Sequence, residues 1–175
     1  METLRTRLRR FTKKDLLNMI ELESDEAVMR FTPSRVPQSR TKTEARLNKL
    51  VENEDAYAPL GVWAVEMKKT GEFVGWFMLV QGKAQFPELG FMVVKKYWGQ
   101  GVATEVAERL LSYGFHTLHY SGITANTDAD NVASIHVLKK LGFRQTGTTP
   151  TYDKINGRNV ETVFFECHSD NDRSL

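Results

Sequence analysis

The sequence predicts a mixed α/β (α+β) fold: a mostly antiparallel sheet, one parallel βαβ unit and flanking helices. Two observations carry this prediction. Apolar periodicity along the chain gives the element order β-α-α-β-β-β-α-β-α-β-β. Within that order, only Leu89 to Thr124 sets a helix between two strands that can lie parallel, and the remaining strands follow one another as antiparallel meander. A chain of 175 residues has room for one real core. It is expected to form a single domain over residues 1–168, with a polar tail at 169–175.

Thr3 to Phe11 alternates Leu4 and Leu8 with Arg5, Arg7 and Arg9, which reads as a first strand with its arginines on a solvated face. Thr12 precedes Lys13-Lys14-Asp15 and the apolar positions Leu16, Met19 and Ile20, the pattern of a capped helix. Phe31 to Ser39 contains Pro33 and Pro37 and must be a loop. A second helix is expected from Lys42 to Glu52. Val62–Met67 and Glu72–Val80 read as strands joined at Lys69-Thr70-Gly71, followed by a polar connection from Gln81 to Phe86.

Leu89 to Val94 is a short apolar run rich in β-branched and aromatic residues, a buried strand. Val102, Ala103, Val106, Ala107, Leu110 and Leu111 recur at helical spacing, so a helix starts near Gly101. Ser121 to Ala125 is a short strand. Val132, Ile135, Leu138 and Leu141 mark a further helix ended by Gly142. Phe143–Tyr152 and Val160–Cys167 form a terminal strand pair joined through Asn156-Gly157.

The chemistry concentrates in the turn between the Leu89 strand and the helix after it. The first amides of a helix lack intrahelical partners, and its dipole adds partial positive charge, so a strand–glycine turn–helix junction holds anions. Gly99 and Gly101 let backbone approach a phosphate closely. A dinucleotide turn would need a third glycine where Thr104 stands, and a carboxylate about twenty residues on, where Tyr120 to Ala125 has none. A Walker loop would need Gly-Lys-Ser/Thr, which is absent.

Trp98-Gly99-Gln100-Gly101-Val102-Ala103 instead resembles the Arg/Gln-x-x-Gly-x-Gly/Ala signature of the GNAT N-acetyltransferases, with Trp98 in place of the usual Arg or Gln. A second segment, Asn131 through Ser134 and Leu138 to Gly142-Phe143, resembles that family's N-x-x-S/A-x-x-V/L-L/Y-E-K-L-G-F. YWGQGVATE, the N-terminal TLRTRLRRFTKKD and WAVEMKKTGEFVGW are similar to the RimJ/RimL branch, so the resemblance covers most of the chain.

The resemblance implies a single GNAT-like domain that takes acetyl-CoA (coenzyme A). The strand containing Phe91, Met92 and Val93 would splay from Ser121–Ala125 and pair with pantetheine. A backbone N–H near Met92 or Val93 would polarise the thioester carbonyl. Trp98, Gly99, Gln100, Gly101, Val102, Ala103 and Thr104 would hold the pyrophosphate, and Asn131, also a natural helix N-cap, would bond the arm. Where many members carry an acidic tyrosine this chain has Leu138, and the branch offers Ser134 as proton donor to the leaving thiolate. Glu88 is the carboxylate nearest the key strand, as base (directly or through water), as binder of the incoming amine, or as a strand-end charge.

The implied activity is N-acetylation of a primary amine, either a protein N-terminus of the ribosomal-protein kind or a small amine. The acceptor pocket is expected from the Phe31–Gln38 and Thr149–Asn159 loops. Two alternatives stand beside it: a non-catalytic acyl-CoA-binding regulator, and a transferase of a larger acyl group such as succinyl.

Composition bounds the rest. A net charge of +2 gives no electrostatic argument for nucleic acid. No apolar run reaches membrane length, so no membrane partner is expected. The single Cys167 fits a reducing compartment such as the cytoplasm and reads as a buried or idle thiol. His116 and His119 lack a third ligand at suitable spacing and read as a solvated helix end, with no metal. A homodimer is compatible with all of this.

Overall fold

The computed structural model describes residues 1–82, 85–153 and 157–169. Its centre is one seven-stranded sheet in the order β1-β2-β3-β4-β5-β7-β6. The strands are β1 (Thr6–Arg9), β2 (Gly61–Met67), β3 (Phe73–Gln81), β4 (Pro87–Val93), β5 (Gly122–Asp128), β6 (Arg144–Asp153) and β7 (Arg158–His168). Every neighbouring pair is antiparallel except β4 and β5, which are parallel. The α+β expectation and its single βαβ unit hold.

Among the described residues five α-helices flank the sheet: α1 (Leu16–Ser24), α2 (Glu26–Met29), α3 (Arg40–Glu52), α4 (Val102–Ser112) and α5 (Val132–Lys140). Helix α4 buries Val102, Val106, Ala107, Leu110 and Leu111, the stripe seen in the sequence. Each fully buried Val or Leu among them contributes about 1.5–3 kcal/mol. Just beyond α4, a Cβ placed on Gly114 would meet Ile123 and Leu79, so those two side chains point to the α4 face of the sheet. On the other face the Arg46 guanidinium of α3 lies 5.0 Å over the Trp76 ring. Side chains alternate along strands and paired residues share a face. Trp76 pairs with Met92, Val80 with Glu88, and Glu88 with Thr124. Glu88, Met92, Thr124, Asn126 and Asp128 therefore share the α3 face.

Boundaries depart from expectation where side chains cap the backbone. The first strand is only Thr6–Arg9, and Leu4, read as an apolar strand position, is 87% exposed. Asp15 accepts from the Thr12 amide at 2.9 Å and closes a helical turn that delays α1 to Leu16. The short α2 was not foreseen: Asp25 breaks α1 and its carboxylate caps the next turn at Ala27 and Val28. Ser39 starts α3 two residues earlier than expected. After α4 the chain continues as a π-helical turn, Tyr113–Thr117, and β5 runs on to Asp128. The expected hairpin residue Asn156, part of the Gln81–Phe86 connection and the tail from 170 lie outside the described residues.

Candidate active site

The β4–β5 junction opens immediately. The parallel register holds only at Glu88 and Thr124, where the Thr124 hydroxyl also donates to the Pro87 carbonyl at 3.2 Å. From Leu89 onward β4 is paired to β3 alone, and β5 to β7. Antiparallel strands turn alternate residues' backbone groups toward each partner. The Val94 amide donates to the Val74 carbonyl at 2.8 Å, so Val94, Met92, Gly90 and Glu88 address β3, while Leu89, Phe91 and Val93 address the opening. Of the two residues expected to supply an N–H, Val93 presents it at the opening. Met92 turns its backbone to β3, against Gly75 (φ 149°), where a Cβ would lie 2.1 Å from the Met92 oxygen. Phe91 adds a second donor at the edge.

The turn after β4 is held from several sides. The Trp98 indole N–H donates to the Val93 carbonyl at 2.7 Å, and the Gln100 amide to the Lys96 carbonyl at 2.6 Å. Gly99 (φ 72°) and Gly101 (φ 73°) both adopt the left-handed region, and among the described residues no side chain caps α4. The Glu105 amide is the first to bond back, to the Gly101 carbonyl, which leaves the N–H groups of Val102, Ala103 and Thr104 outside the helix ladder. A Cβ on Gly99 would meet nothing within 4 Å, and one on Gly101 only Arg5 Nη2 at 3.7 Å. The cradle is open, donor-rich and at the positive end of a helix, which fits a diphosphate.

Arg5, read from sequence as part of a solvated strand face, is instead built into this turn. Its Nη1 donates to the Gln100 carbonyl at 3.0 Å and its Nε to Glu105 at 2.6 Å. Glu105 also accepts from the Arg5 amide and the Thr3 hydroxyl. Burial pushes the Glu105 carboxyl up, but these donors outweigh it and hold the group below the ordinary glutamate range. Arg9 likewise leaves the solvated face to bridge buried Asp15 and Glu66. Nothing local in the sequence announces the role of Arg5, whose partners lie about a hundred residues along the chain; Arg9 has one near partner, Asp15, and one distant, Glu66.

Asn131 is the N-cap of α5: its side-chain oxygen accepts from the Ser134 amide at 3.2 Å. The cap leaves the Asn131 amide nitrogen as a donor. Ser134 is half-buried on the first turn of α5, which packs against α4 and β5. Leu138 is fully buried, an apolar core position with no proton to give. Glu88, expected just before the strand, is its second residue, half-buried, and forms no ion pair among the described residues. Cys167 is buried, with Sγ 3.7 Å from the Leu141 carbonyl. His116 and His119 are exposed, and among the described residues no group of three or more His, Cys, Asp or Glu is placed to hold a metal. No described helix is long and apolar enough to cross a membrane.

An open strand edge thus leads to a donor-rich glycine turn at a helix N-terminus. Comparison with known proteins gives the class: residues 5–144 match the family model for the acetyltransferase (GNAT) domain, and the chain belongs to that family. It is thereby an acetyl-CoA-dependent acyltransferase, of a class that binds an acyl-CoA and an amine acceptor. Among its relatives, the uncharacterized protein YkkB of Bacillus subtilis is 31% identical over 87% of this chain and 89% of its own. An acetyltransferase of the GNAT family from Bacillus anthracis superposes with a TM-score of 0.84 at 23% identity, covering 96% of this chain and 97% of its own. A ribosomal-protein-S5-alanine acetyltransferase from Vibrio fischeri superposes at 0.77 with 18% identity, covering 98% and 97%. At these identities the two structures speak for the fold.

Proposed function

We propose that this chain transfers the acetyl group of acetyl-CoA to a primary amine, either a protein N-terminus, as in the RimJ/RimL branch, or a small amine. The observation that carries the reading is the unpaired β4 edge that ends in an uncapped, glycine-cradled helix N-terminus. Bound acetyl-CoA supplies an activated acyl group. In this reading the Phe91 and Val93 N–H groups lie along the pantetheine arm, and one of them polarises the thioester carbonyl, where negative charge develops. The side chain of Met92, on the α3 face, lines the arm from the acceptor side. Trp98 fixes the strand end, and Gly99 to Thr104 hold the diphosphate. Asn131 keeps its amide N–H for the arm while capping α5. Ser134, on the same turn, gives a proton to the departing thiolate. Glu88 faces the opposite side of the sheet from α4 and receives the amine, binding its cationic form or passing its proton through water.

The segments YWGQGVATE, TLRTRLRRFTKKD and WAVEMKKTGEFVGW, similar to the RimJ/RimL branch, support the protein N-terminus as acceptor. The experiment is a panel of acyl-CoAs against peptide N-termini and small amines, read as free-thiol release. Acetyl transfer to at least one amine is expected. Binding of CoA without turnover of any amine would make the chain a regulator, and a preference for succinyl-CoA would overturn the acetyl assignment.

A further inference from the structure

The loop between α2 and α3 ends in a buried charge cluster that the acetyl-transfer chemistry does not use. Arg35 stands between Pro33 and Pro37 with φ 52°, a left-handed backbone that residues other than glycine rarely adopt. Its Nη2 donates to the Asp128 carboxylate, and its Nε lies 3.3 Å from the Asp153 carboxylate. The side chains of Arg35, Asp128 and Asp153 are 12%, 3% and 1% exposed. The guanidinium thus ties three separate segments: the α2–α3 loop, the end of β5 and the end of β6. The Asp128 carboxylate is itself fixed by the Asp130 amide at 2.8 Å.

The loop is also ordered from within. The Arg35 amide donates to the Thr32 carbonyl at 3.1 Å, the Thr32 hydroxyl to the Met29 carbonyl at 2.8 Å, and the Gln38 amide to the Glu23 carbonyl at 2.8 Å. Asp128 lies on the same sheet face as Glu88, Met92 and Asn126, so the clasp sits at the far end of the strip of β5 that faces the opening.

We infer that Arg35 is a positioning residue for the amine acceptor: its fork on Asp128 and Asp153 holds the Phe31–Gln38 loop and the far end of β6 over the face of β4 and β5 that carries Glu88. The inference rests on the acetyl-transfer reading for the identity of the acceptor side. A planar guanidinium can address two carboxylates from one side chain, and a lysine ammonium on its flexible stem cannot reproduce that fork. The acceptor wall is therefore assembled before any substrate arrives, and the unusual backbone at Arg35 is kept because it aims the fork.

The test uses the whole 175-residue chain with one working acceptor and four variants: Arg35→Ala, Arg35→Lys, Asp153→Asn and the Arg35→Ala/Asp153→Asn double variant. The acceptor KM is expected to rise at least about tenfold in Arg35→Ala, the scale of losing one partner of a buried charge pair. The acetyl-CoA KM should stay within about twofold and kcat should change little. Arg35→Lys should recover only part of the acceptor affinity, and Asp153→Asn should cost less in an Arg35→Ala background than alone. Hydrogen exchange at the Thr32, Arg35 and Gln38 amides should speed up in Arg35→Ala and Arg35→Lys. An unchanged acceptor KM in a folded variant, a parallel rise in both KM values, or unchanged exchange would each overturn the clasp. A parent enzyme that acetylates no amine would overturn the proposed function, and exchange would still decide whether the clasp holds the loop.

Discussion

Substitution at Gly101 separates the backbone demand of the Gly99–Gly101 turn from the diphosphate binding proposed for it. Gly101 has φ 73°, and a Cβ there would meet only Arg5 Nη2 at 3.7 Å, an ordinary contact. Gly101→Ala therefore suffers from the left-handed backbone and not from a clash, at about 1–2 kcal/mol. For a chain of this size each kcal/mol lowers Tm by about 2–4 °C, so the melt should drop by roughly 2–8 °C. Gly99→Ala, with φ 72° and nothing within 4 Å, should lose a similar amount. Gly101→Glu shares that backbone cost and adds an anion beside the diphosphate cradle. A like charge at about 4 Å costs roughly 4 kcal/mol at an effective dielectric of 20, which is about a thousandfold in Kd. Calorimetric titration with CoA and a thermal melt on the same samples measure both quantities. Gly101→Glu should bind CoA about three orders of magnitude more weakly at low salt, with partial recovery as ionic strength rises. If it melts as expected yet binds CoA like the parent, the diphosphate does not sit on this turn.

Three further outcomes follow from the same geometry. Ser134→Ala should lower kcat while leaving CoA affinity nearly unchanged, since a proton delivered to the leaving thiolate matters mainly in the transition state; unchanged turnover would move that role to water or Tyr152. Glu88→Gln should raise the acceptor KM more than it lowers kcat and leave the shape of the pH–rate profile intact; a fall of about two to four orders of magnitude, partly rescued at high pH, would instead make Glu88 the base. Glu105 and Asp15 both have carboxyl groups held below their ordinary values of 4.5 and 3.8, so the stability they contribute is present above those values and is lost as pH falls through the lower, folded values. Glu105→Gln should flatten that acid arm in pH-resolved denaturation curves, and an unaltered arm would remove the Thr3–Arg5 clamp from the account.

Much of the fold was legible because its signals are local. The α4 stripe from Val102 to Leu111, the Lys69-Thr70-Gly71 hairpin and Gly142 at the end of α5, with φ 86°, are each written in a few adjacent residues. The elements that escaped depend on side-chain caps: Asp25 splits α1 from α2, and Asp15 shifts the first helix by three residues. The glycine turn was legible for the same local reason, since two glycines before an apolar helical stripe mark a left-handed turn into a helix N-terminus. The long-range cations were not. Arg5 reads as one arginine among several in an alternating segment, and its partners Gln100 and Glu105 are about a hundred residues away. Arg35 reads as a loop charge between prolines, and only the fold brings it to Asp128 and Asp153.

The placement of the chemistry follows from strand parity, a property the sequence carries but cannot orient. Apolar alternation marks β4 as a strand, yet which residues address β3 and which address the opening depends on the register with Trp76 and Val80. That register sends the Phe91 and Val93 N–H groups to the gap and turns their side chains to the α4 face, where Phe91 stacks on Phe77 at 5.5 Å. It sends the side chains of Glu88 and Met92 to the α3 face, toward the loop held by Arg35. In the proposed function, donors for the thioester and a carboxylate for the amine therefore come from alternate residues of one strand. A slip of one residue against β3 would exchange the two sets, placing Glu88 in the core beneath α4 and an apolar side chain before the acceptor. Gly75 resists such a slip: it leaves room for the Met92 carbonyl, whose oxygen would lie 2.1 Å from any Cβ there, and only a glycine lets β3 and β4 approach so closely. The two roles proposed for β4 thus depend on a residue of β3 that takes no part in either.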